Sequence, residues 1–157
     1  MVIHFICRGN AFRSIIAEAY LKSLNLDDVW VISSGTLAKE SEPSNRENYQ
    51  KTLALLDDHH LLKFAKTHYA DQLNATRAAR ADVTVCMNGL VAEEAKKSFD
   101  LPANTVVWDV TDVGETGRIA HNDADREKYY EDAFEQIRRN VDQLVAPLSL
   151  KPAALVM

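Results

Sequence analysis

The sequence predicts an α/β fold: one doubly wound domain built on a four-stranded parallel sheet of order 2-1-3-4, with helices on both faces. Three observations lead there. Short β-branched apolar runs alternate with helical stretches along the chain, the pattern of βαβ units with right-handed crossovers. No repeat, linker or low-complexity segment divides the sequence. A length of 157 residues is enough for one domain with a real core.

Each element has its own signal. Residues 2–6 read as a buried strand, short, apolar and ended by turn residues. A helix is expected over 14–24, where Ile16, Tyr20 and Leu24 share one face. Residues 29–33 form the second strand. Ser44 and Glu47 make a capping box, so a helix starts at 44 and runs to about 58. His59 and His60 follow without a glycine, so a non-glycine residue takes the left-handed cap position. A short helix is expected over 71–79, a strand over 82–87, a helix over 90–99 and a strand over 105–109. Residues 110–122 read as a loop. The last helix begins near Asp123 and carries the stripe Tyr130, Ala133, Phe134, Ile137, Val141, Leu144 and Val145, with Pro147 ending it. The domain is therefore 1–147, and 148–157 is an apolar tail without an assignment.

Composition narrows the function. A net charge of -5 excludes a general attraction to nucleic acid or acidic membrane. Two cysteines, Cys7 and Cys86, make no disulfide framework, and the first apolar run is too short for a signal peptide or a membrane span. A reduced, cytoplasmic, monomeric protein is expected. No spacing of His, Cys, Asp or Glu suits a metal, and no nucleotide fingerprint is present, so no cofactor is expected.

The chemistry concentrates in Cys7-Arg8-Gly9-Asn10-Ala11-Phe12-Arg13-Ser14, the turn from the first strand into the first helix. Successive N–H groups of such a loop form an anion nest, and the helix dipole adds positive potential there. Gly9 allows close backbone approach, and Asn10 tolerates a left-handed conformation. Arg13 offers a planar fork to two phosphate oxygens. The same potential favours a thiolate at Cys7. A tetrahedral oxyanion held above a thiolate is set up for in-line attack and a phosphocysteine intermediate.

The extended string Cys7-x-Gly9-Asn10-x-x-Arg13-Ser14-x-x-Ala17-Glu18-Ala19 resembles the low-molecular-weight protein tyrosine phosphatase family. The similarity continues through Ser33-Ser34-Gly35-Thr36, His68-Tyr69-Ala70-Asp71-Gln72-Leu73, Cys86-Met87-Asn88 and Trp108-Asp109-Val110-Thr111-Asp112. It implies a protein phosphatase acting on phosphotyrosine or a small phosphomonoester and inhibited by phosphate and other oxyanions. Cys7 is then the nucleophile, and Arg8 to Ser14 form the phosphate loop. Asn10, Ser14, Ser33 and His68 are its supporting network, and Asp112 is the general acid. Asp109 is the alternative acid by sequence alone.

The chain departs from the family pattern at several positions. Val113, Gly114 and Glu115 follow Asp112 where Pro and aromatic residues are usual, and the loop after the second strand carries no aromatic wall. Phe12 stands where many members have a second cysteine, Ile15 replaces a proline, and Asn88 replaces an aspartate. Relatives acting on phosphoarginine carry Thr at the position of Ala11. Two other functions fit the loop: an arsenate reductase, which needs further cysteines, and an oxyanion-binding module without turnover.

Overall fold

The computed structural model describes residues 1–41, 44–110 and 123–149. The first strand, β1 (Val2–Cys7), sits inside the sheet and pairs in parallel with β2 (Trp30–Gly35) on one side and β3 (Val83–Cys86) on the other. A short β4 (Val106–Val107) pairs with β3, giving the order β2-β1-β3-β4. This is the expected sheet.

Strand side chains alternate between faces, and each face has its own core. Ile3, Phe5 and Cys7 of β1 join the larger cluster with Val85 and Met87. That face is covered by α1 (Arg13–Ser23), α2 (Ser44–Asp58) and α5 (Asp123–Ser149), which contribute Ile15, Ile16, Leu56, Phe134, Ile137 and Val141. Ile6 and Cys86 face the opposite way, against α3 (Ala75–Arg80) and α4 (Gly89–Lys96) through Ala78, Val91, Ala92 and Ala95. Cys7 and Cys86 therefore lie on opposite sides of the sheet.

Four expectations shift. The helix expected over 71–79 begins only at Ala75, with the Asn74 side chain accepting from Arg77 N at 2.9 Å. Residues 71–73 lie in parallel beside the end of β2 instead: Gly35 N donates to Asp71 O at 2.9 Å and Leu73 N to Gly35 O at 2.8 Å. The strand expected over 105–109 shortens to two residues, yet Trp108 N and Val110 N still reach Cys86 O and Met87 O at 2.9 and 2.8 Å. The helix of 90–99 ends at Lys96. Pro147 does not stop α5, which reaches Ser149. A proline removes one N–H and crowds one carbonyl a turn back, which the final turn tolerates while Val145 and Leu148 still pack on the core. His60 takes the left-handed conformation expected after α2, at φ 60. The Ser44 side chain of the expected capping box lies outside the described residues. Among the described residues, no helix is long and apolar enough to cross a membrane.

One polar group lies inside the sheet. His4 is fully buried, with Nε2 at 2.8 Å from Ser34 Oγ. Arg77 Nε donates to the same hydroxyl at 2.6 Å. Burial, then the charges of Arg77, Lys66 and Arg80, push the imidazole down from 6.5 to about 3. The folded protein thus refuses a proton that the unfolded chain accepts below pH 6.5. Stability contributed by neutral His4 is present above pH 6.5 and is lost as pH falls from there towards 3. Between pH 6 and 4, unfolding free energy from urea titrations is expected to fall faster than in His4→Gln, by up to about 1.4 kcal/mol per pH unit. Parallel pH curves for the two proteins would show that His4 carries no such linkage.

Candidate active site

The turn from β1 into α1 owes its shape to where its carbonyls go. Cys7 O accepts from Thr36 N at 3.0 Å and Arg8 O from Leu37 N at 2.8 Å. Gly9 O accepts from Asn45 Nδ2 at 2.8 Å, Ala11 O from Thr52 Oγ1 at 2.6 Å, and Phe12 O from Ile16 N at 2.9 Å. Donors outside the turn thus hold the carbonyls away from its centre, which leaves its interior to N–H groups. Phe12 is the N-cap of α1 and makes no side-chain capping bond, so the positive end of the helix opens on the same space.

Two glycines make room for this. A Cβ on Gly35 would lie 2.6 Å from Arg8 O and 2.8 Å from Asn10 N, which pins β2 directly under the turn. A Cβ on Gly9 would collide with the Asn45 side chain. Gly9 therefore admits a side chain from α2, as well as offering the open backbone that its place in the turn suggested.

Cys7 is buried at the floor. Its Sγ lies 2.9 Å from Ser14 Oγ and accepts from Asn10 N at 3.2 Å. Arg13 is 2 % exposed and donates from Nη1 to Val110 O at 2.8 Å. Asn88 caps α4 by accepting from Val91 N at 3.0 Å and donates to Val110 O at 3.3 Å. An aspartate could not make the second bond, which gives Asn88 a physical role at this site. Val110 leads into 111–122, so Asp112 and Val113 lie outside the described residues. Asp109 is exposed, and its carbonyl accepts from Gln136 Nε2 at 2.6 Å.

Three of the four expected network residues meet. Asn10 is buried at φ 54 and donates from Nδ2 to Ser14 Oγ at 2.8 Å and to Ser33 Oγ at 2.9 Å. His68 does not join them. It is exposed, and Lys66 occupies the expected place. Lys66 Nζ donates to Asn10 Oδ1 at 3.0 Å, Ser33 Oγ at 3.2 Å and Asp71 Oδ2 at 2.6 Å. Burial raises the Asp71 carboxyl, but the Lys66 hydrogen bond and charge, with Arg77 at 3.6 Å, hold it below the usual carboxylate range. Lys66 stands two residues before His68 in an irregular stretch, so no periodicity marks it in the sequence.

Sequence reading also missed a wall. Cys7, Phe12, Arg13, Asn45, Asn48 and Tyr130 border a cavity of about 30 Å³. Tyr130, from α5, meets Phe12 edge-on with centroids 5.0 Å apart, and Lys51 Nζ lies 5.3 Å from the Tyr130 ring. In the sequence Tyr130 reads only as part of a core stripe. Cys86 is buried on the other face, where burial raises its thiol to about 11. Among the described residues, no group of three or more His, Cys, Asp or Glu could hold a metal.

The same architecture occurs in solved structures. A low-molecular-weight protein tyrosine phosphatase from T. tengcongensis is 20% identical, with TM-score 0.71 over 94% of this chain and 99% of its own. Vibrio vulnificus Wzb, solved with benzylphosphonate, is 17% identical, with TM-score 0.71 over 94% of this chain and 98% of its own. The YwlE arginine phosphatase from Geobacillus stearothermophilus is 21% identical, with TM-score 0.64 over 98% and 96%. No curated protein sequence matches this chain. The family model described as low molecular weight phosphotyrosine protein phosphatase matches residues 2–154, nearly the whole chain. By that match the chain belongs to the low molecular weight phosphotyrosine protein phosphatase family.

Proposed function

We propose that this chain hydrolyses phosphomonoesters through a phosphocysteine intermediate on Cys7, with protein phosphotyrosine as the preferred substrate. The observation that carries the reading is the floor of the turn. Asn10 N and Ser14 Oγ both reach Cys7 Sγ, beneath a ring of backbone N–H groups and beside Arg13. Donors on sulfur suit a thiolate, and the N–H ring suits the equatorial oxygens of a transferring phosphoryl group.

In the first step Cys7 Sγ attacks phosphorus in line with the leaving oxygen. The S–P bond forms, the P–O bond to the leaving group breaks, and Asp112 gives that oxygen its proton. Water then attacks phosphorus, Asp112 takes back a proton, and the S–P bond breaks to release phosphate and the Cys7 thiolate. Arg13 and the turn hold the oxygens throughout. Asp112 is assigned by its motif. In sequence it stands two residues after Val110, whose carbonyl Arg13 holds.

Phe12 and Tyr130 at the cavity favour an aryl leaving group, because an aromatic ring packs well against such a pair. Ala11, in place of the Thr of phosphoarginine-directed relatives, points the same way. An arsenate reductase relay gains no support, because Cys86 lies on the face of the sheet opposite to Cys7.

Four variants test the assignment with p-nitrophenyl phosphate, phosphotyrosine and phosphoserine. Cys7→Ser is expected to lose at least about a thousandfold in kcat while the circular dichroism spectrum persists. Phosphate that raises the melting temperature without any turnover of these esters would replace the enzyme by a binding module. Asp112→Asn is expected to lower kcat about a hundredfold and Asp109→Asn much less, and the reverse ranking moves the acid to Asp109. Tyr130→Ala is expected to raise KM for aryl phosphates about 2- to 10-fold while leaving phosphoserine unchanged. Equal losses on both esters would remove Tyr130 from substrate choice.

A further inference from the structure

We propose that Lys66 is a positioning residue for the Cys7 sulfur, acting through Asn10 and Ser14 as the charged end of a hydrogen-bonded relay. The proposal rests on the reading of Cys7 as the nucleophile.

The direction of every bond in the relay follows from its partners. Asn10 Oδ1 faces Lys66 Nζ at 3.0 Å and Asp71 N at 2.8 Å, and both of these groups only donate. The amide can therefore point only one way, with Nδ2 towards the hydroxyls of Ser14 and Ser33. With Cys7 as the thiolate of the proposed reaction, Sγ has no proton to give, so Ser14 Oγ donates its single proton to it across 2.9 Å. Positive charge at Lys66 thus polarises Asn10, Asn10 polarises the Ser14 hydroxyl, and the hydroxyl donates to sulfur.

Lys66 is built into this position. Its side chain is 9% exposed, and its partners are the Asp71 carboxylate, Asn10 and Ser33. Arg77 reaches the same carboxylate and donates from Nη2 to Ser33 O at 2.8 Å. Two cations against one carboxylate leave the cluster behind the turn with net positive charge. The Asp71 N–H alone would still orient the Asn10 amide. What Lys66 adds is charge, and charge is the property that separates this role from simple support of the chain around residue 66.

The test reads the sulfur directly, without turnover. Cys7 alkylation by iodoacetamide is followed at pH 6 by peptide mapping in the full-length protein, which reads Cys7, bordering the cavity, separately from Cys86 on the far face of the sheet. Lys66→Met and Lys66→Gln are each expected to slow alkylation about tenfold, and Lys66→Arg to stay near the parent rate. In a Ser14→Ala background the same two substitutions are expected to change the rate less than about twofold, because the relay is already cut. An equal loss in both backgrounds, or no loss when Ser14 is present, overturns the proposal. Lys66→Gln retains a donor, so it carries the comparison if Lys66→Met does not fold. A chain that hydrolyses no phosphate ester leaves this result readable, so the relay and the phosphatase reading fail separately.

Discussion

The site depends on Asn10, a buried asparagine in a left-handed conformation with both ends of its amide fully bonded. Its backbone reverses the turn so that neighbouring N–H groups converge. Its side chain fastens that turn to β2, to α1 and to the segment around residue 71. A buried donor or acceptor left unpaired costs about 1–3 kcal/mol, so the partners of Asn10 constrain each other. Ser33 must end β2 at that height, and Gly35 must lack a side chain two residues on. The pairing of β1 with β2 serves the same need, because β1 must have β2 beside it for Ser33 to meet Asn10.

Charge is distributed unevenly in this acidic protein. Arg13 lies beside the sulfur, Lys66 and Arg77 lie behind the turn, and Asp71 is the carboxylate that pairs with the latter two. Local positive potential here comes from a few buried groups with fixed partners, which salt screens less than exposed charges. The net charge of -5 says nothing about this region, since the chain can be acidic outside and cationic at one turn. The two thiols show a similar separation. One sits in a donor-rich turn and the other in an apolar layer on the far face, and strand alternation alone assigns them.

Much of the fold was legible because hydrophobic period and turn residues act locally. β1, α1, α2 and the stripe of α5 follow those signals within a residue or two. The misses have non-local causes. Residues 71–73 read as helical, but the open edge of β2 at Gly35 captures them in a parallel bridge. At the site, Cys7, Asn10 and Arg13 were legible from their spacing at the turn, and Ser14 and Ser33 through the resemblance to the family. Lys66 was not, since a long side chain can reach the network from a stretch with no pattern. Tyr130 was hidden for another reason: one helix face serves both the core and the cavity.

That double use of α5 separates recognition from chemistry. The floor of the site is made by residues 7–14 and by β2, held by backbone bonds and by the side chains of Asn10, Asn45 and Thr52. The walls come from α2 and α5, through Asn45, Asn48 and Tyr130, and Asn45 is tied to the Gly9 carbonyl of the turn. A substitution on α5 can therefore alter what lies against the substrate and leave the oxyanion-holding turn intact. Tyr130 reaches the cavity from a helix. A helix holds its side chain in fewer orientations than a loop does, so a wall built this way is more pre-organised and less adaptable.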